Sequence, residues 1–254
     1  MLAVDSSHIK LLSEITTAIK ETVTEKKIGL AFSGGVDSSL LAKVCDDLEY
    51  DITLLTIGFS NSHDILFAKQ AASLLGLAHK LYKIPLESFK EVYSEITKKL
   101  TTDNLSWKEN CIAFYYVAKL AHDLKLKTVV TANGIDELFC GYNAYRDAIS
   151  NGRDKVQQLM ESKLENEIKM MKAINLITSE FNVNVLQPFL SKKFIEYAKT
   201  IPLHDKIKGE NDLIRKHIIR KLALEIGVPE ISATKRKKAL QYGSMIHKHL
   251  TKSR

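Results

Sequence analysis

Ile28-Gly29-Leu30-Ala31-Phe32-Ser33-Gly34-Gly35-Val36-Asp37-Ser38-Ser39 is the stretch on which the reading of this chain turns. Residues 28–32 form a short continuous apolar run, which suits a buried parallel strand. Leu40, Leu41, Val44 and Leu48 then recur at helical spacing. The serines and glycines between them make a strand–loop–helix turn. Such a turn aims backbone N–H groups and the positive end of a helix at one point, and that point attracts phosphate. Gly34 and Gly35 let the backbone approach closely. Ser33, Ser38 and Ser39 add hydroxyl donors, and Ser38 is expected to open the helix. Asp37 repels phosphate unless a cation lies between them, and Mg²⁺ held by carboxylates plus phosphate oxygens resolves this. No Lys follows the glycines, so this is not the G-x-x-x-x-G-K-[ST] loop. The plainer alternative is a Gly-rich turn in which Asp37 only starts the helix.

Outward from this loop, strand and helix alternate. His8 to Thr24 reads as an amphipathic helix, with Ile9, Leu12, Ile15, Ile19 and Val23 on one stripe. Strands are expected over Asp51–Phe59, Lys80–Ile84 and Thr128–Thr131. Helices are expected over Asp64–Leu75, closed by Gly76, and over Phe89–Leu100 and Trp107–Leu124. This pattern predicts an α/β fold, a doubly wound parallel sheet with right-handed crossovers. Beyond Tyr145 the pattern reads as all helical: Lys155–Ile174, Ser191–Thr200 and Asp212–Ile226. The expected organisation is an α/β core over residues 1–150 and a helical part over 151–254 packed on it.

Composition narrows the classes. Of 254 residues 45% are hydrophobic, enough for a substantial core, and 4 Pro with 11 Gly argue against a long disordered linker. No apolar run approaches the ~20 residues of a membrane span. The N-terminus lacks the pattern of a signal peptide. Cys45, Cys111 and Cys140 form no C-x-x-C pair, and thiols without a disulfide framework suit a reducing cytoplasm. The formal charge of +7 fits a solvated lysine-rich surface, an RNA partner or small phosphate-bearing anions.

Ser33-Gly34-Gly35-Val36-Asp37-Ser38-Ser39 resembles the pyrophosphate loop (PP-loop) of the N-type ATP pyrophosphatases, whose members adenylate an oxygen, release pyrophosphate and let a nucleophile displace AMP. The resemblance implies an adenine nucleotide alpha hydrolase-like fold with ATP and Mg²⁺ as cofactors. Thr131-Ala132-Asn133-Gly134-Ile135-Asp136-Glu137-Leu138-Phe139-Cys140-Gly141-Tyr142 is similar to the S-G-E-G-A-D-E-L-F-G-G-Y segment of the asparagine synthetase family. Lys216-His217-Ile218-Ile219-Arg220 resembles its K-H-I-L-R segment. Ile57-Gly58-Phe59 with Asp64 and Ala68 resembles its second strand and following helix. The implied activity is an AMP-forming ligase acting on a carboxylate or carbonyl oxygen. On this reading Ile57, Thr131, Ala132 and Gly134 join the loop in holding ATP. Asp136 either completes the Mg²⁺ site with Asp37 or starts the helix after its strand, and Glu137 either shares the metal or caps that helix. Lys235-Arg236-Lys237-Lys238 resembles the family's R-x-K element, in which a lysine meets the phosphates, and Lys237 and Lys238 are both candidates. Arg215, Lys216 and Arg220 are expected on one helix, with positions 216 and 220 on one face.

The chain departs from the family in three ways. Leu2 stands where glutamine-hydrolysing members carry a nucleophilic cysteine, so the nitrogen is expected from free ammonia, another amine donor or a separate amidotransferase subunit. Asn133 replaces a glutamate, and an amide cannot act as general base. Asn133 is then left to orient a small-molecule substrate, and asparagine is not the expected product. Cys140 replaces a glycine, either as a small buried residue or as a thiol for sulfur transfer. Phe114, Tyr115 and Tyr116 read as core, Asp103 and Asn104 as turn residues that could reach a substrate, and His79 as structural. The rival readings are a tRNA-modifying enzyme with a basic RNA face and an inactive nucleotide-binding paralogue. No membrane partner is expected.

Overall fold

A computed structural model describes residues 6–100, 102–236 and 240–251. The elements are α1 (Ser6–Thr22), β1 (Lys27–Ala31), α2 (Val36–Asp47), β2 (Asp51–Gly58), α3 (His63–Leu75), β3 (Ala78–Lys83), α4 (Leu86–Lys99) and α5 (Leu105–Asp123). They continue with β4 (Thr128–Val130), α6 (Ile135–Leu138), α7 (Ala144–Ser150), α8 (Arg153–Thr178), β5 (Asn184–Leu186), α9 (Lys192–Thr200) and α10 (Leu203–Lys206). The last four are α11 (His217–Glu225), α12 (Glu230–Thr234), α13 (Leu240–Gly243) and α14 (Ile246–Thr251). The strands pair in parallel in the order β3-β2-β1-β4-β5. This is the expected doubly wound sheet.

The period of two along the strands divides the core. Ile28, Leu30, Ile52, Leu54 and Val130 face one hydrophobic layer with Leu11, Ile15, Leu40 and Ile219. Leu55, Ile57 and Val129 face the other with Phe89, Ile112, Phe114 and Met170. The sheet is therefore buried on both faces, which is why its strands read as continuous apolar runs. β3 is the exception: most of its residues are exposed because it forms an edge.

One expectation fails here. The stretch beyond Tyr145 is not all helical, because β5 pairs with β4 through Thr128↔Asn184, Val129↔Val185 and Val130↔Leu186. A three-residue strand shows no alternation of its own and exists by pairing with β4. The chain order reverses between β1 and β4, and the loops after these two strands open the crevice where open parallel sheets bind ligands.

Candidate functional site

The loop after β1 braces itself. Ser33 N donates to Ser38 Oγ at 3.3 Å, Gly35 N donates to Ser33 Oγ at 3.3 Å, and Ser38 Oγ donates to the Gly35 carbonyl at 3.2 Å. The buried Ser39 hydroxyl donates to the Gly34 carbonyl at 3.2 Å. Gly34 has a φ of 76°. A Cβ there would lie 3.0 Å from Phe67 Cδ1 and 3.1 Å from the Ala68 Cα, so only glycine lets α3 pack against the loop. Gly35 starts α2 without a side-chain cap. The first N–H groups of α2 can therefore meet an anion.

Two carboxylates converge on one lysine beside this loop. Lys216 Nζ lies 2.5 Å from Asp37 Oδ2 and 2.5 Å from Asp136 Oδ1, and its side chain is 1% exposed. Burial pulls the ammonium down, and Asp136 and Asp37 more than offset it, so its pKa is held above the ordinary lysine value. The expected helix over 212–226 is corrected. Arg215 and Lys216 have φ of 54° and 55°, and α11 begins at His217. Asp212 makes the turn by accepting from Ile214 N at 3.0 Å, Arg215 N at 2.9 Å and Lys208 N at 2.9 Å, and from His217 Nε2 at 2.6 Å. Burial pushes the Asp212 carboxyl up, but the Arg215 and Lys208 amides and His217 outweigh it and bring it to about 2. Arg215 Nη2 donates to the Gly141 carbonyl at 3.1 Å. A Cβ at Gly141 would strike both Asp136 and the Lys216 side chain, so the close approach of these charges requires glycine there.

The cavity above this centre has a volume of about 290 Å³. Ser33, Gly35, Val36, Asp37, Ser38 and Ile57 line one wall, and Thr131, Ala132, Asn133 and Asp136 line another. The remaining loop residues serve the frame. Ser39 and Gly34 hold the turn, and Gly134, at φ 107°, lies where a Cβ would come 2.9 Å from the Phe189 carbonyl. Lys237 and Lys238 lie outside the described residues. From the same basic stretch Lys235 and Arg236 line the cavity, with Lys235 Nζ 3.1 Å from the Phe67 ring centroid. Arg220 anchors this segment: Nε donates to the Arg215 carbonyl at 2.8 Å, and Nη1 donates to the Ala233 and Lys235 carbonyls at 2.5 and 2.9 Å. Its Nη2 is buried with no hydrogen-bond partner among the described residues, and Arg220 too lines the cavity.

The carboxylates fit a magnesium ion. Asp37 and Asp136 are hard oxygen donors brought to one point from the first turns of α2 and α6. Mg²⁺ takes one or two carboxylates and completes its octahedron with phosphate oxygens and water. Glu137 is the helix cap: Oε2 accepts from Gly134 N at 3.1 Å, and Oε1 accepts from the Tyr142 hydroxyl.

Glu167 is the residue that sequence reasoning missed. Asn133 Nδ2 donates to Glu167 Oε1 at 2.5 Å, while the Thr131 hydroxyl donates to Asn133 Oδ1. Glu167 is 4% exposed and lines the cavity. A carboxylate from α8 thus stands beside the amide that replaces the family's glutamate. A signal existed: Met160, Leu164, Glu167 and Met171 share the buried stripe of α8, and a carboxylate on such a stripe needs a reason. Cys140 is buried with a φ of 58°, the left-handed region that favours glycine, and burial pushes its thiol up to about 12. It packs with Tyr145 and Ile207 as a small core residue, and so high a pKa leaves almost no thiolate for sulfur chemistry. Tyr116 is core, Phe114 touches both core and cavity, and Asn104 caps α5 through Ser106 N at 3.0 Å. Asp103 is fully exposed and lies 3.8 Å from Lys108 Nζ. His79 accepts or donates a 2.8 Å bond with the Thr56 hydroxyl inside the sheet.

Fold and site together define an α/β protein with an anion-binding loop and a paired-carboxylate centre at the switch point of a parallel sheet. The family described as asparagine synthase matches residues 10–178 and 151–253, and the chain belongs to that family. A putative glutamine-hydrolysing asparagine synthetase 1 of Methanocaldococcus jannaschii is 28% identical over 94% of this chain and 51% of its own length. The glutamine-hydrolysing asparagine synthetase 1 of Lotus japonicus is 25% identical over 80% of this chain and 36% of its own length. The chain thus spans about half the length or less of these curated relatives. A solved NMN synthetase of Francisella tularensis aligns over 92% of this chain and 75% of its own, at 15% identity and a TM-score of 0.49. No helix among the described residues is long and apolar enough to cross a membrane.

Proposed function

We propose that this chain is an ATP-dependent ligase that forms AMP and pyrophosphate, activating a carboxylate or carbonyl oxygen for attack by ammonia or another amine. The observation that carries the reading is the convergence of Asp37 and Asp136 on Lys216 beside the self-braced loop. The loop amides and Ser33 and Ser38 bind the β- and γ-phosphates. Asp37 and Asp136 hold Mg²⁺, which neutralises phosphate charge when bound. A substrate oxygen attacks the α-phosphorus, the bond to the bridging oxygen breaks, and pyrophosphate leaves. Lys216, Arg220 and the basic stretch after Thr234, with Lys237 or Lys238 among its candidates, stabilise the departing charge; one such donor contributes ~3 kcal/mol in a preorganised site. The amine nitrogen then attacks the activated carbon, AMP leaves, and the amine proton passes to Glu167. Asn133 positions that carboxylate and orients the substrate. A separate amidotransferase subunit is the partner that would supply nitrogen from glutamine.

The test is a product analysis with ATP, Mg²⁺, ammonium and a panel of small carboxylates. AMP and pyrophosphate in equal amounts are expected; ADP and phosphate would overturn the reading. Glu167→Gln is expected to lower amide formation about a hundredfold, in the range for a lost general base, with AMP–substrate adduct still detectable by mass spectrometry. Unchanged turnover in Glu167→Gln would remove Glu167 from the mechanism.

A further inference from the structure

We propose that a second cavity, between α8, α9 and α10, binds a small organic anion with a carboxylate head and an apolar body, its charge taken by Lys206. The cavity has a volume of about 270 Å³ and does not share lining residues with the cleft above Lys216. Lys206 lines it and is 2% exposed. Its Nζ donates to the Ala198 carbonyl at 2.6 Å and lies 5.5 Å from the Phe139 ring centroid. Among the described residues no carboxylate pairs with it. An ammonium has three N–H donors, and a buried cation with one carbonyl and one ring face is short of counter-charge. Burial accordingly pulls it down to about 8, with the Cys140 thiol opposing.

The rest of the wall matches an organic anion. Arg153 and Lys199 add positive charge, and Glu161, 3.9 Å from Lys199 Nζ, is the one acid among the lining residues. Val156, Met160 and Leu203 supply apolar surface. A small, fully hydrated anion would have to shed water against these side chains with nothing to replace it, whereas an apolar body gains by covering them. A carboxylate head on a short hydrocarbon matches both the cations and the apolar side chains of the lining.

The experiment is calorimetric titration of the whole chain, without ATP, with hexanoate, hexanamide and inorganic phosphate. Because no nucleotide is present, its outcome is independent of the ligase reading. Saturable hexanoate binding at one site is expected, at least tenfold tighter than hexanamide or phosphate. Lys206→Met is expected to weaken hexanoate at least tenfold. Met160→Trp, which keeps the lysine and fills the cavity, is expected to do the same, with thermal melts confirming that both variants fold. No hexanoate binding, or hexanamide binding as tightly as hexanoate, would overturn the proposal. Phosphate binding as tightly as hexanoate would overturn the organic class. Undiminished binding in the folded Lys206→Met variant would overturn the assignment of Lys206.

Discussion

Lys206 and Lys216 are both buried lysines at the two ends of one loop, and Lys216 N donates to the Lys206 carbonyl at 2.6 Å. Their surroundings set them apart. Lys216 has a carboxylate on each side and is held above the ordinary lysine range. Lys206 has a carbonyl and an aromatic face and falls to about 8. The same residue type at nearly the same burial is thus stabilised as a cation in one place and penalised in the other. Burial alone does not decide what a lysine does; the charge facing it does.

The largest effect is expected from Lys216→Met. Removing the cation leaves Asp37 and Asp136 facing each other at low exposure, a loss of about 3 kcal/mol in line with breaking a buried pair. Urea unfolding without nucleotide measures it, and Mg²⁺ with ATP should recover part of the loss. Pyrophosphate release is expected to fall a hundredfold or more, the scale of one lost charge-stabilising donor. A Lys216→Met protein as stable and active as the parent would erase the contrast between the two lysines.

Lys206→Met is expected to act with the opposite sign. Lys206 is lowered from 10.5 to about 8, and each pH unit corresponds to about 1.4 kcal/mol. The folded state therefore carries an ammonium penalty of about 3 kcal/mol that is fully present below pH 8. Between pH 8 and about 10.5 the unfolded chain binds more protons than the folded one, so rising pH relieves the penalty. After a lost hydrogen bond of about 1 kcal/mol, the variant should gain about 2 kcal/mol at neutral pH. That gain should vanish below pH 10.5, where the remaining penalty no longer exceeds the lost hydrogen bond. Chemical denaturation across pH reads both, and a destabilised variant at pH 7 would show that the Ala198 bond outweighs the desolvation.

The smallest effect is expected at the turn that joins the two lysines. Asp212 is depressed from 3.8 to about 2. Its contribution is present above pH 3.8 and is lost as pH falls through about 2. Asp212→Asn keeps part of the turn but not the charge, so a loss of about 1–2 kcal/mol is expected at pH 7, and less as the medium is acidified. If Lys216 depends on this turn for its left-handed conformation, turnover should drop as well, by about tenfold, for a shift of ~1.4 kcal/mol. A stability loss without any change in turnover would show that Asp37 and Asp136 hold Lys216 unaided.

The Gly-rich loop was legible in the sequence because everything that shapes it is local. An apolar run, two glycines, serines at fixed offsets and a helical stripe lie within 28–48, and hydrogen bonds among Ser33, Gly34, Gly35, Ser38 and Ser39 close the turn. The alternation of strand and helix through Val130 was legible for the same reason, since periodicity is a property of neighbours in the chain. Asp136 could be nominated from its motif, and the structure places it across from Asp37. What lay at long range was not legible. β5 is three residues with no pattern, and it becomes a strand because β4 offers an open edge. The 212–216 turn replaced an expected helix because Asp212 captures backbone N–H groups that helix geometry would otherwise use. Glu167 meets Asn133 across 34 positions, and Lys216 meets Asp37 across 179. Sequence by itself determined the class of fold and the loop that would face phosphate. Only the tertiary structure decided which buried charges face one another, because side-chain electrostatics act through space and chain periodicity carries no record of them.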